Sequence, residues 1–122
     1  MGTFRVSCKV GNVARRDRQA AVPRMLVDTG SEYTWLPRDR LARIGVRREK
    51  KDVRFVMAHG ATITRAVGFA ILRLGRQFTV DEVVFAEPGD LVLLGARTLE
   101  GLSLVVDSRR KKLVASGPIP AA

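Results

Sequence analysis

A chain of 122 residues with an apolar fraction of 46% can bury one core and reads as one small domain. Its single cysteine excludes an intrachain disulfide and favours a reducing compartment; no run nears the roughly 18 apolar residues of a membrane helix, and no secretory leader is evident, so a cytoplasmic protein with no membrane partner is expected. The basic excess, 22 Lys and Arg against 12 Asp and Glu for a net charge of +10, is concentrated in residues 1–80, with 17 basic and 6 acidic side chains. Residues 3–10 alternate, with Phe4, Val6 and Cys8 on one side and Arg5, Ser7 and Lys9 on the other, which predicts a half-buried strand. Residues 11–21 read as a polar loop and 21–27 as a second strand. Pro37 opens a short helix over 38–44 that Gly45 ends. Residues 52–57 and 61–74 form a hairpin turning at His59-Gly60, and 77–86 continue as a strand through Gly75-Arg76. Pro88-Gly89-Asp90 turns the chain into a strand at 91–94. A second short helix follows over 98–102, and 103–107 and 112–115 are expected to close the sheet. Residues 1–116 make the domain and 117–122 an extended tail. Many short strands between turn signals predict an all-β barrel with one or two short helices.

The most informative stretch is residues 25–31, Met-Leu-Val-Asp-Thr-Gly-Ser. An apolar strand runs into an acidic turn, so the carboxylate of Asp28 can be aimed out of the sheet end. Thr29 can lock the turn, and Gly30 lets the backbone bend and approach another chain. Three further features lie in order around it. Ser31-Glu32-Tyr33-Thr34-Trp35-Leu36-Pro37 follows the turn. A glycine-tipped hairpin spans 55–63, Phe-Val-Met-Ala-His-Gly-Ala-Thr-Ile. A second apolar strand, Leu91-Val92-Leu93-Leu94, closes on Gly95 before a short helix.

Together these features resemble the retropepsin-like aspartic proteases, particularly their bacterial and archaeal single-domain members, over about residues 3–115. The resemblance implies a closed acid-protease barrel and an aspartic endopeptidase acting on peptides or unfolded proteins without metal or cofactor. Such enzymes hold a water between two aspartates. One, ionised, takes a proton as the water attacks; the other, protonated, serves the carbonyl oxygen and then the leaving amine. This chain offers one qualifying aspartate. Asp81-Glu82 and Asp90-Leu91 lack the glycine turn, and Asp107-Ser108-Arg109 has arginine in the glycine's place. A homodimer with Asp28 facing Asp28 is therefore expected.

The resemblance also implies roles for single residues. Thr29 would hydrogen-bond across the dimer axis, and the Gly30 carbonyl would meet the substrate backbone. Ser31 would touch the inner side of the carboxylate, and Glu32 would pair with Arg97 or Arg5. Met57, Ala58, His59 and Gly60 would form a flap tip closing over substrate. Leu26, Val92 and Leu94 would line apolar subsites or core. From the residues alone, Trp35 reads as core and His59 as a solvated turn residue. One His and one Cys form no metal cluster of recognisable spacing.

Two rival readings are a dormant retropepsin-like dimerisation or binding module and a basic nucleic-acid-binding β protein. The clusters at 15–18, 47–51 and 109–112 have no interleaved aromatic residues and no recognition helix, so they read as solvated loops and no nucleic-acid partner is expected. Two departures from the family pattern stand out. Residues 103–122 continue past the second helix, so the dimer sheet would be built differently. The Ala-His-Gly flap tip would be stiffer than a run of glycines.

Overall fold

Alternation in the first strand carries through to its burial. Along β1 (Arg5–Gly11) Cys8 and Val10 are buried, whereas Arg5, Ser7 and Lys9 face solvent. The computed structural model describes residues 3–121. After β1 come β2 (Gln19–Val27), β3 (Thr34–Pro37), α1 (Arg38–Arg43), β4 (Lys50–Val56), β5 (Thr62–Leu74) and β6 (Gln77–Ala86). They are followed by β7 (Leu93–Leu94), α2 (Ala96–Gly101), β8 (Leu104–Asp107) and β9 (Lys112–Ala115). The described chain is mostly β with two short helices, in line with the all-β expectation.

Seven strands form one sheet in the order β1-β2-β7-β3-β6-β5-β4, and β1 pairs again with β5. Six strands thus close into a ring of hydrogen bonds, and β4 hangs from β5 as the outer arm of a hairpin. The short β7 is the part that matters for the site. It lies parallel to β2, with Leu26 opposite Leu93 and Val27 opposite Leu94, and antiparallel to β3 through Trp35 opposite Leu93. The ends of β2 and β7 and the start of β3 therefore meet at one place.

The main core holds Val10, Met25, Leu36, Leu41, Leu72, Phe85 and Leu94 inside the ring. A second cluster of Trp35, Val67, Val84, Ala86 and Leu93 lies beneath the β4–β5 hairpin. Gly45 ends α1 with φ +79°, its N–H donating to the Ala42 carbonyl at 3.0 Å.

Several boundaries differ from expectation. β2 begins at Gln19, because its ladder with β1 runs out to Gly11 opposite Gln19 and shortens the loop. Asn12 braces that loop, accepting the Ala14 and Arg15 N–H groups and donating to the Ile44 carbonyl. β3 was not foreseen as a strand: Thr34, Trp35 and Leu36 are all buried, so no alternation marks it. β7 is two residues long rather than four, and α2 starts at Ala96 rather than Thr98. The last two strands do not close the main sheet as expected. Among the described residues β8 and β9 pair only with each other, since β1 already closes the ring through β5. Their Leu104, Val106 and Leu113 still pack on the main core, while Val105 stays exposed. Among the described residues no helix is long and apolar enough to cross a membrane.

Candidate active site

Asp28 stands at the point where β2 leaves the sheet. Its N–H donates to the Leu94 carbonyl at 3.0 Å, so β7 anchors the turn from beside it. The Gly30 N–H donates to Asp28 Oδ1 at 3.0 Å, and the Ser31 N–H donates to the Asp28 carbonyl at 3.2 Å. This is the local closure that an aspartate two residues before a glycine favours. A Cβ on Gly30 would lie 3.2 Å from Asp28 Oδ1, tight against the oxygen that the turn must orient. Asp28 is half-buried, and Thr29 and Gly30 are exposed.

The loop is held from below by α2. The Ala96 N–H donates to the Ser31 carbonyl at 2.7 Å, and the Arg97 N–H to the Glu32 carbonyl at 3.2 Å. Gly95 makes the approach possible, because a Cβ there would fall 2.4 Å from the Tyr33 carbonyl oxygen. The Ser31 hydroxyl donates to the Tyr33 carbonyl at 3.0 Å, closing the loop on itself.

An open cavity of about 510 Å³ lies over this loop. Its floor is Asp28, Gly30, Ser31 and Glu32, followed by Tyr33 and Trp35. The hairpin residues 55–58 cover it, and Asp90, Leu91 and Leu93 form the far wall. Phe55, just below the turn, ties the hairpin down, with its ring 5.5 Å from Tyr33 edge-on and 5.2 Å from Trp35. At the tip the Met57 N–H donates to the Ala61 carbonyl and the Gly60 N–H to the Met57 carbonyl, both at 2.8 Å. Gly60 has φ +91°. The exposed His59 accepts the Ala61 N–H through Nδ1 at 3.3 Å, bracing the turn.

The acids around the cavity differ in how they are engaged. Asp90 takes a two-pronged contact from Arg65, at 2.7 and 2.8 Å, and accepts the Glu87 N–H. That guanidinium holds its carboxyl below the usual range. Glu82 is likewise lowered, first by its hydrogen bond from Lys50. Arg97 reaches Glu82 at 3.4 Å and lies over the Tyr33 ring, and Arg5 donates to the Arg24 carbonyl. The expected partners of Glu32 are thus engaged elsewhere: Glu82, on β6, faces Arg97, whereas Glu32 is an exposed residue of the cavity lining. Cys8 offers no rival nucleophile, since burial pushes its thiol up to about 11. Among the described residues no three His, Cys, Asp or Glu side chains come together as a metal site.

Of the residues singled out from the sequence, Asp28, Gly30, Ser31, Glu32, Met57 and Ala58 share this cavity. Thr29, His59 and Gly60 lie outside its lining. Val92 and Leu94 belong to the main core, Leu94 fully buried, and the cavity wall is built by Leu91 and Leu93 instead. The alternation of the strand separates the two pairs. Phe55, in the same hairpin segment as Met57, carries the same signal. Tyr33 and Asp90 carried none. Residues 6–98 match a family model described as "Aspartyl protease". No curated protein matches the chain.

Proposed function

The chain belongs to the aspartyl protease family, and from that premise we propose that it is a homodimeric aspartic endopeptidase in which Asp28 of two subunits activates a water. The observation carrying this reading is Asp28 itself. It stands at the floor of an apolar cleft, half-buried, with one oxygen oriented by the Gly30 N–H. The other acids nearby are poor second members: Asp90 is bound to Arg65, Asp81 accepts the Thr98 hydroxyl, and the exposed Glu32 lacks the Thr-Gly turn that orients Asp28. A second copy supplies the missing carboxylate.

With two aspartates in contact, ionising both is costly, so the pair holds one proton between them and titrates as a unit. The ionised member takes a proton from the water as its oxygen bonds to the peptide carbon. The protonated member stabilises the carbonyl oxygen, and the proton taken from the water passes to the leaving nitrogen as the C–N bond breaks. The β4–β5 hairpin acts as the flap that closes over an extended peptide or unfolded protein. Tyr33, Trp35, Phe55 and Leu93 supply the apolar wall. On this reading the strand ring is the closed acid-protease barrel, and a reducing, cytoplasmic setting suits its free buried Cys8.

The test is digestion of a peptide library from acidic to neutral pH by the wild type and by Asp28→Asn. The isosteric change should abolish cleavage and leave the melting temperature within a few degrees. Inhibition by a statine-type mimic, whose hydroxyl replaces the held water, should be seen with the wild type. Full cleavage by the folded Asn variant would sink the assignment.

A further inference from the structure

Thr34 and Thr98 are the fully buried polar residues of the described chain, each with no exposed surface. Their hydroxyl oxygens lie 2.6 Å apart, and Thr98 Oγ1 lies 2.8 Å from Asp81 Oδ2. A carboxylate only accepts, so the single Thr98 proton goes to Asp81. Thr34 must then donate to Thr98, which leaves the Thr34 oxygen to accept the Gly95 N–H at 2.9 Å. The result is a relay of one polarity, from the Gly95 N–H through two hydroxyls to a carboxylate. The other Asp81 oxygen accepts the Glu82 N–H at 2.7 Å, which sets the carboxylate's orientation. Such chains polarise one another and strengthen when buried.

No member of this relay lines the cleft. It fixes what the Asp28 loop stands on. Gly95 precedes the two amides, Ala96 and Arg97, that hold the Ser31 and Glu32 carbonyls, and it follows Leu94, whose carbonyl holds the Asp28 N–H. Gly95 sits so close to the Tyr33 backbone that a side chain there would clash with it. The relay also ties together three elements distant in sequence: Asp81 on β6, Thr98 in α2 and Thr34 on β3.

We propose that this relay sets the position of residues 28–33, and that Asp81 and Thr98 are positioning residues for Asp28. The assignment of a catalytic consequence rests on the reading of Asp28 as the reacting carboxylate. Without the Thr98 hydroxyl, Thr34 loses its acceptor and Asp81 a donor, α2 gains freedom at its first turn, and the loop carbonyls lose a fixed support. A shift of a fraction of an ångström at the reacting atoms is enough to slow turnover while leaving ground-state binding intact.

The experiment compares Thr98→Val, which keeps shape and removes the hydroxyl, with Thr98→Ser, which restores it, and with Asp81→Ala. Two readouts are taken on the full-length protein: amide hydrogen exchange, and kcat and KM on a cleaved peptide. Thr98→Val and Asp81→Ala should speed exchange at Gly95, Ala96 and Arg97 about tenfold or more, with little change at amides of the β1–β2 ladder around Cys8 and Val22. Their kcat should fall by roughly tenfold to a hundredfold at nearly constant KM, with Thr98→Ser close to wild type. Exchange raised equally everywhere, or unchanged at 95–97, would overturn the proposal and leave only a general packing role. If the wild type cleaves nothing, the protease reading fails by itself, and exchange at 95–97 still decides whether the relay holds the loop. Should Thr98→Val not fold, Asp81→Ala gives the same reading from a half-buried position.

Discussion

Gly95 and Gly68 separate two kinds of constraint at the level of single residues. A Cβ on Gly95 would strike the Tyr33 backbone at 2.4 Å, and one on Gly68 would strike the Arg47 carbonyl oxygen at 2.3 Å. Both alanine variants should lose about 1–3 kcal/mol in denaturant melts, as overpacked sites do. Only Gly95→Ala should also lower kcat in the folded fraction, because only its neighbour is the Asp28 loop; equal kcat losses would refute that distinction. Asp90 gives the pH dependence. Its folded-state pKa is depressed below the ordinary 3.8 by Arg65, so its stabilisation is present above that value and is lost as pH falls through the folded value. The two side chains are 19% and 12% exposed, so Asp90→Asn should cost about 1–3 kcal/mol at neutral pH. The gap to wild type should close below about pH 4. Melts at neutral and acidic pH check this, and a gap that ignores pH would count against it. The acidic turn at 28–30 was legible in the sequence because its chemistry is local. The role of Asp90 was not, since its partner Arg65 lies 25 residues away on β5.

Among the elements, the β4–β5 hairpin has one demand for glycine at its tip. Gly60 has φ +91° with nothing within 4 Å of a built Cβ, so space is free and only the backbone conformation resists a side chain. Gly60→Val should therefore slow turnover several-fold while costing about 1 kcal/mol or little more in stability. Steady-state kinetics beside thermal melts decide it, and unchanged kinetics would place the flap in another segment. The hairpin was readable from its turn and alternation. β3 was not, because a strand buried on both faces has no period-two pattern. Nor could sequence reading tell that Leu91 and Leu93, rather than Val92 and Leu94, form the cavity wall. Four consecutive apolar residues fix which pair shares a face but not which face meets the core. The misplacement of β8 and β9 has a similar cause: their alternation was legible, but the strand they pair with is decided by where β1 ends.

On the scale of the whole molecule, one chain supplies one Asp28, so activity should depend on protein concentration. Specific activity should rise with dilution reversed, until the dimer saturates. Excess Asp28→Asn should poison the wild type through mixed dimers. With a net charge of +10, two copies repel, and moderate salt should move the curve to lower concentration by screening that repulsion. Activity dilutions and sedimentation check these points; a fully active monomer would mean that a second acid within the chain completes the site. A closed barrel was expected, but that β1 and β5 are the strands that close the ring was beyond the reach of sequence reading, since periodicity assigns faces and not partners. Ring closure also has a kinetic consequence. Lys9 pairs with Arg73, sixty-four residues later. During synthesis at roughly 5–20 residues per second, β1 must wait several seconds before the strand that closes the ring exists. Until then the edge of β1 at Lys9–Gly11 is unpaired and open to a neighbouring nascent chain. The like charges of Arg5 and Lys9, both solvent-facing on β1, disfavour pairing with another copy of the same segment while it waits.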